Sequence, residues 1–243
     1  MKSGVEGEIF MIFKQDTLDF LKDIKKNNCK DWFTKNKDRY NDSLLSPLKE
    51  LVVQLSETML KIDPELETEP RVDRTISRIY RDTRFSKDKS LYRNNAWVSF
   101  KRKGRDKLDY PVFFFELSPH GFRYGMGFYS ATVQSMNAIR EKIDRDEKKF
   151  IQIIDQLQSK CIFSPEGDLY KRNRYQGTED KVKDWYNRKN LYLMHHSENI
   201  NEIFSNRFVY RLKEDYESLS AIYHFFTEAI NEQWMKSEGF ERE

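Results

Sequence analysis

The sequence is short of cysteine, glycine and proline, and each shortage excludes something. It has 2 cysteines in 243 residues, Cys29 and Cys161. Two thiols that far apart build neither a disulfide framework nor a four-thiolate zinc site. Both are expected as buried, reduced thiols. The 9 glycines and 6 prolines leave no material for flexible linkers, and no 20–50-residue period is present. No apolar run approaches the ~20 residues of a membrane-spanning helix. Met1 to Gly7 carries no apolar signal core. These absences lead to an expectation of a cytoplasmic chain with no membrane partner.

Familiar catalytic motifs are missing as well. There is no GxGxxG, no Gly-Lys-Ser/Thr phosphate loop, no HExxH and no GxSxG. The histidines are His120, His195, His196 and His224. None pairs at the i,i+4 spacing that puts two ligands on one helix face. On a strand the adjacent His195 and His196 point to opposite faces. No metal and no cofactor is expected.

Aromatic residues and charge are plentiful. Phe, Tyr and Trp make up 14 % of the chain, far from the composition of disordered chains. Charged residues reach 34 %, above the usual ~25 %. At roughly 150 residues per domain the length allows one large domain or two small ones, and residues 1–243 are read as a single domain. The net charge is +3, yet Arg71 to Lys107 holds 13 basic residues against 4 acidic ones. That stretch therefore carries +9 and the remainder −6. Such asymmetry marks either a solvated face or a surface for an anionic partner.

Hydrophobic spacing divides the chain into three zones. Residues 14–62 are helical. A first helix over 14–28 offers Asp16 and Thr17 as N-cap oxygens, a second begins near Asp31, and a third runs from Ser46 to Ile62 with Pro47 in its first turn. Its stripe is Leu48, Leu51, Val52, Leu55, Met59 and Ile62. Residues 72–129 are mostly strand, at 72–82, 94–102, 110–118 and 121–129, with turns at Pro119-His120-Gly121 and Lys103 to Asp106. Residues 132–236 are helical and mixed. Two helices are expected over 132–160, short strands at 168–175 and 189–196 with a helix over 181–187 between them, and one long helix over 214–236. The fold class is α+β, an antiparallel sheet of about five to seven strands packed with N- and C-terminal helices.

Chemistry concentrates between Arg78 and Tyr92. If 76–84 is extended, Arg78, Tyr80, Asp82 and Arg84 share one face, with Ile79 and Arg81 on the other. Two arginines around one carboxylate form an internal ion-pair brace, or present oriented guanidinium donors to a phosphate or carboxylate. Lys89 and Tyr92 follow a turn and can return to the same place. Arg71, Arg74, Arg93 and the basic residues at 101–107 supply more positive charge than a brace requires. Tyr80, Phe85, Tyr92 and Trp97 suit either a sheet core or base stacking. Lys171-Arg-Asn-Arg-Tyr175 is a second basic spot, and Gly125 and Gly127 permit close backbone approach.

Arg78-x-x-Arg81-Asp82-x-Arg84-Phe85, followed by Lys89 and Tyr92, resembles the signature of the DUF2461 family of bacterial proteins of unknown function. Thr17 to Asp23, Asn27-Asn28, Asp31-Trp32-Phe33 and Lys37 to Tyr40 are similar to its N-terminal block. Gly125 to Tyr129, with Ile139-Arg140, is similar to its glycine-tyrosine segment. The resemblance weakens in the last third, where Lys171 to Arg174 lacks the family's proline and no Asp-His-Pro follows. It implies a bacterial cytoplasmic domain and supplies no activity.

The leading functional expectation is binding of a phosphate-bearing or other anionic ligand through Arg78, Arg81, Asp82, Arg84, Lys89 and Tyr92. The partner is an anionic small molecule or a nucleic acid. One alternative is an enzyme with Asp82 as base and Tyr92 as acid, the arginines stabilising developing charge. The other is a structural or protein-interaction domain braced by the motif.

Overall fold

The computed structural model describes residues 11–84, 87–103, 110–128, 131–159 and 162–237. Phe85, Tyr129, Cys161 and most of the turn expected at Lys103 to Asp106 lie outside the described residues. Helices α1 (Gln15–Lys26), α2 (Lys30–Lys35), α3 (Lys37–Tyr40) and α4 (Ser46–Ile62) open the chain, with a π-helical turn at Asn41–Leu45 leading into α4. Strands β1 (Ala96–Phe100), β2 (Val112–Ser118) and β3 (Gly121–Gly127) follow, then α5 (Val133–Arg145) and α6 (Glu147–Ser159). After them come β4 (Ser164–Glu166), α7 (Asp180–Tyr186), β5 (Tyr192–Ser197), a 3-10 turn at Ile200–Phe204, α8 (Phe208–Ser218) and α9 (Ser220–Ser237). The architecture is α+β. Among the described residues the sheet has five antiparallel strands in the order β1-β2-β3-β5-β4. No described helix is long and apolar enough to cross a membrane.

Alternation along β1–β3 decides where the helices pack. Phe113, Phe115 and Leu117 project to one side of β2 and are wholly buried. They lie opposite Phe100, Val98 and Ala96 of β1, and opposite Met126, Tyr124 and Phe122 of β3. Helices cover this side. The Phe113 ring meets Tyr216 of α8 at 5.6 Å and Tyr223 of α9 at 5.0 Å, and Phe115 meets Phe208 at 5.7 Å. Burying one such aromatic side chain contributes about 1.5–3 kcal/mol. Trp97, Ser99, Glu116 and Arg123 point the other way, where Arg123 and Glu116 pair at 2.6 Å. An antiparallel sheet packed on one face alternates in this manner.

The expected stripe of α4 is buried throughout, and the hairpin closes at Pro119-His120. Five local expectations require correction. The first concerns α1, where Asp16 does not cap: its carboxylate is drawn to Arg39 at 2.7 Å, and Thr17 Oγ1 instead accepts from the Lys14 amide. The second is the strand expected at 72–82. The chain turns at 71–76 around Asp73, whose φ is 71°, and then follows β1 by alternate backbone bonds. Ser99 N donates to Thr75 O, Ser77 N to Trp97 O, and Arg93 N to Ile79 O. Two extra residues on the β1 side, between Trp97 and Arg93, break the ladder like a bulge, so only isolated bridges form.

The third correction moves a strand from 168–175 to Ser164–Glu166. Gly167, at φ 125°, turns the chain away, and Asn173 and Asn187 side chains take over the Tyr175 and Arg174 amides. Fourth, the last long helix is two helices hinged at Leu219, where Ser218 Oγ donates back to Asp215 O at 2.6 Å. Fifth, Cys29 is exposed, because it occupies the N-cap position of α2.

Gly125 shows the tightest strand contact. A Cβ there would meet Leu193 O at 1.8 Å, and its φ is 156°. Gly125→Ala is therefore expected to destabilise the protein by about 3 kcal/mol or more, read as a lowered midpoint in equilibrium urea unfolding.

Candidate functional site

The segment beyond β1 and the helix-free side of β1 enclose a groove of about 450 Å³. Trp97, Ser99 and Lys101 form one wall by alternation along β1 and its continuation. Asp73, Arg74, Arg78, Arg81, Asp82 and Arg84 approach from the flanking segment, and Arg93 joins them. The predicted alternation is visible in burial. Arg78, Tyr80, Asp82 and Arg84 are exposed, Ile79 is buried and Arg81 is half-buried.

Each motif arginine meets an aspartate. Arg84 is bidentate on Asp82, with Nε and Nη2 donating at 3.0 and 2.7 Å, and its backbone amide adds a bond at 3.1 Å. Arg78 Nε donates to Asp73 Oδ1. Arg81 reaches Asp88 at 3.2 Å, while its buried Nε has no hydrogen-bond partner among the described residues. Arg93 makes no ion pair among the described residues. Its guanidinium carbon lies 4.9 Å from the centre of the Trp97 ring. The Asp73–Arg78 and Asp82–Arg84 pairs are solvent-exposed and local in sequence. Exposed pairs contribute little to stability, so they are poor candidates for an internal brace.

Lys89 and Tyr92 do not line the groove. Lys89 Nζ donates to Thr83 O at 2.8 Å and ties down the far turn. Tyr92 is 3 % exposed and stacks on Phe33 at 4.4 Å. Asn28 clasps its backbone, accepting from Tyr92 N and donating to Tyr92 O, both at 2.9 Å. Asn28 thus ties α1 to the site, a task that its reading as a helix terminator did not reveal. Asp73 is the other residue that motif spacing missed. Its left-handed backbone is tolerated by aspartate better than by most side chains, and it places a carboxylate beside Arg78.

These surroundings bear on the acid–base reading. The Arg84 side chain, helped by its backbone amide, holds the Asp82 carboxyl down to about 2. Burial, with a further push from Tyr80, raises the Tyr92 hydroxyl above its ordinary value. Neither group is matched to proton transfer near neutrality.

The remaining sequence candidates fall elsewhere. None of Lys171 to Tyr175 lines the groove. Arg174 stacks over Tyr170 at 3.7 Å, with Arg140 and Lys189 near the same ring at 5.2 and 5.8 Å. Arg140 is an internal clamp that donates to Tyr186 O and Arg188 O. His196 bonds Glu166 at 2.8 Å, whereas His195 lies against Tyr124. Among the described residues no group of three or more His, Cys, Asp or Glu is placed to hold a metal.

A family model described as "Conserved hypothetical protein (DUF2461)" matches residues 16–225. The chain belongs to the DUF2461 family. The match runs from α1 into α9 and contains every groove residue, so the groove is built within the DUF2461 region. No curated protein matches the chain.

Two outcomes follow from this geometry. Asp82 releases its proton more readily folded than unfolded, so the pair's contribution is complete above about pH 4 and is lost as pH falls through about 2. Carboxyl NMR titration should find Asp82 near that value, and Arg84→Ala should return it toward the ordinary aspartate range. Asn28→Ala orphans the Tyr92 amide and carbonyl, and is expected to cost about 1–3 kcal/mol in denaturant unfolding.

Proposed function

We propose that the groove binds a phosphate-bearing anion. The observation that carries this reading is a surplus of cations over carboxylates in the lining of one cavity, with Arg93 making no ion pair among the described residues. Arg74, Arg78, Arg81, Arg84, Arg93 and Lys101 line one cavity with Asp73 and Asp82 as its carboxylates, while Glu67 and Glu69 lie 3.9 Å from Arg74 and Asp88 lies 3.2 Å from Arg81 outside the lining. Arg93 stands there with an aromatic ring and no ion-pair partner among the described residues. A brace would neutralise its cations; a binding site keeps some in reserve. The aspartates have a positioning task in this reading. Bidentate contact fixes the plane of the Arg84 guanidinium, and Asp73 takes one of the five N–H groups of Arg78. The reading takes residues 1–243 as one domain, supported by a hydrophobic cluster that extends from Phe13 to Ile230.

Inorganic tripolyphosphate tests the proposal. At 100 times its dissociation constant it should add about 2.7 kcal/mol to wild-type stability, visible as a raised thermal midpoint that shrinks with added salt. Arg93→Gln is expected to weaken binding at least tenfold while changing unliganded stability by about 1 kcal/mol or less. The absence of any stabilisation at low salt, or undiminished binding by an Arg84→Ala/Arg93→Gln double variant, would overturn the proposal.

A further inference from the structure

Resting on the anion-binding reading, we propose that the groove's ligand is a single-stranded nucleic acid, with an unpaired base stacked on Tyr80 and neighbouring phosphates on Arg78, Arg84 and Arg93. Tyr80 is one of the groove-lining residues and remains 57 % exposed, unusual for a large aromatic in an aromatic cluster. Its ring is supported from behind. Tyr92 lies 5.2 Å away, the edge of Phe33 5.9 Å away, and Phe33 and Tyr92 stack on each other at 4.4 Å. Tyr80 is thus the outermost ring of a buttressed column, with its position fixed before any ligand arrives. A preset aromatic surface beside a cationic groove is the combination that single-strand binding uses, because every base has a flat face and every linkage a charge.

Shape favours a chain over a small ion. Arg78 and Arg84 flank Tyr80 on the same exposed face, six residues apart; full extension would span about 20 Å, which the local bond from the Arg84 amide to Asp82 shortens. One phosphate group cannot occupy both ends of that face, whereas a strand laid along it meets cations before and after the base. Trp97 adds a second ring within the groove, already carrying the Arg93 guanidinium. A duplex fits less well. Its bases are read by a helix or a two-stranded ribbon entering the major groove, and the groove segment is a single extended chain pressed against β1. Paired bases also have no face to offer Tyr80.

Fluorescence anisotropy at low salt decides the matter, using the full chain and a labelled oligothymidylate of about 12 nucleotides. The comparators are an abasic sugar-phosphate oligomer of equal length, the corresponding duplex, and an oligouridylate. Oligothymidylate or oligouridylate is expected to bind at least tenfold more tightly than the abasic chain. Tyr80→Ala should bring base-bearing strands down to the abasic level and leave the abasic chain unaffected. Tyr80→Phe, which keeps the ring, should retain tight binding and show that loss in the alanine variant is not misfolding. Equal binding of abasic and base-bearing strands, unchanged by Tyr80→Ala, overturns this inference and leaves the anion site intact. Tighter binding of duplex than of single strand also overturns it. If neither oligonucleotides nor tripolyphosphate bind, the anion-binding reading fails first.

Discussion

Phe113, Phe115 and Leu117 all project to one side of β2, and the contact of Phe113 with Tyr216 and Tyr223 holds α8 and α9 against that side. The fold's asymmetry follows from this. A strand has only two faces, so once one is committed to the helices, Trp97 and Ser99 of β1 must emerge on the other. The groove occupies that second face at the sheet's end, where a neighbouring segment supplies the arginines. The same alternation that builds the core therefore orients the candidate site, and a one-residue slip of β1 would exchange Trp97 for Val98.

The charges divide by burial in an instructive way. Lys142 is nearly enclosed and meets Asp146, Glu228 and Glu232 within 3.3 Å, joining α5 to α9. Arg102 is likewise enclosed beside Asp63, whose Oδ2 meets the Arg102 guanidinium and also accepts from the Tyr223 hydroxyl. A buried cation without partners would be costly, and these have them. In the groove Arg74, Arg78 and Arg84 are exposed, while Arg93 is half-buried against the Trp97 ring and so keeps contact with water. Lys142 and Arg102 serve the interior, whereas Arg93 in the groove has an aromatic ring and no ion pair among the described residues.

Much of this was legible in the residues. The stripe of α4, the β2–β3 hairpin and the alternating faces of 78–84 follow from periods of 3.6 and 2. What escaped depended on partners distant in sequence. Nothing near Asn28 announces that its amide will mimic a strand for Tyr92, 64 residues away. The inward turn of Tyr92 escaped because Phe33, which receives it, belongs to another element. Asp16 reads as a cap until Arg39 competes for its carboxylate. Of the strand expected at 72–82, the first part turns around Asp73, and the rest runs alongside the chain at 92–99 without a regular ladder, because two extra residues before Trp97 shift the register.

The segment that carries the arginines has a second consequence. Every open sheet has two rims of unpaired amides and carbonyls, which invite another chain to add itself. Here the far rim is β4, three residues long with Pro165 at its centre, a poor template for a newcomer. The near rim is β1, and it is sealed at Trp97 and Ser99 by the backbone bonds with Ser77 and Thr75. The basic stretch is thus also a selvedge, keeping the sheet from unravelling into a neighbour. Changes to its side chains alter what the groove holds, whereas deletion of its backbone would uncover β1 and leave the protein prone to edge-to-edge aggregation.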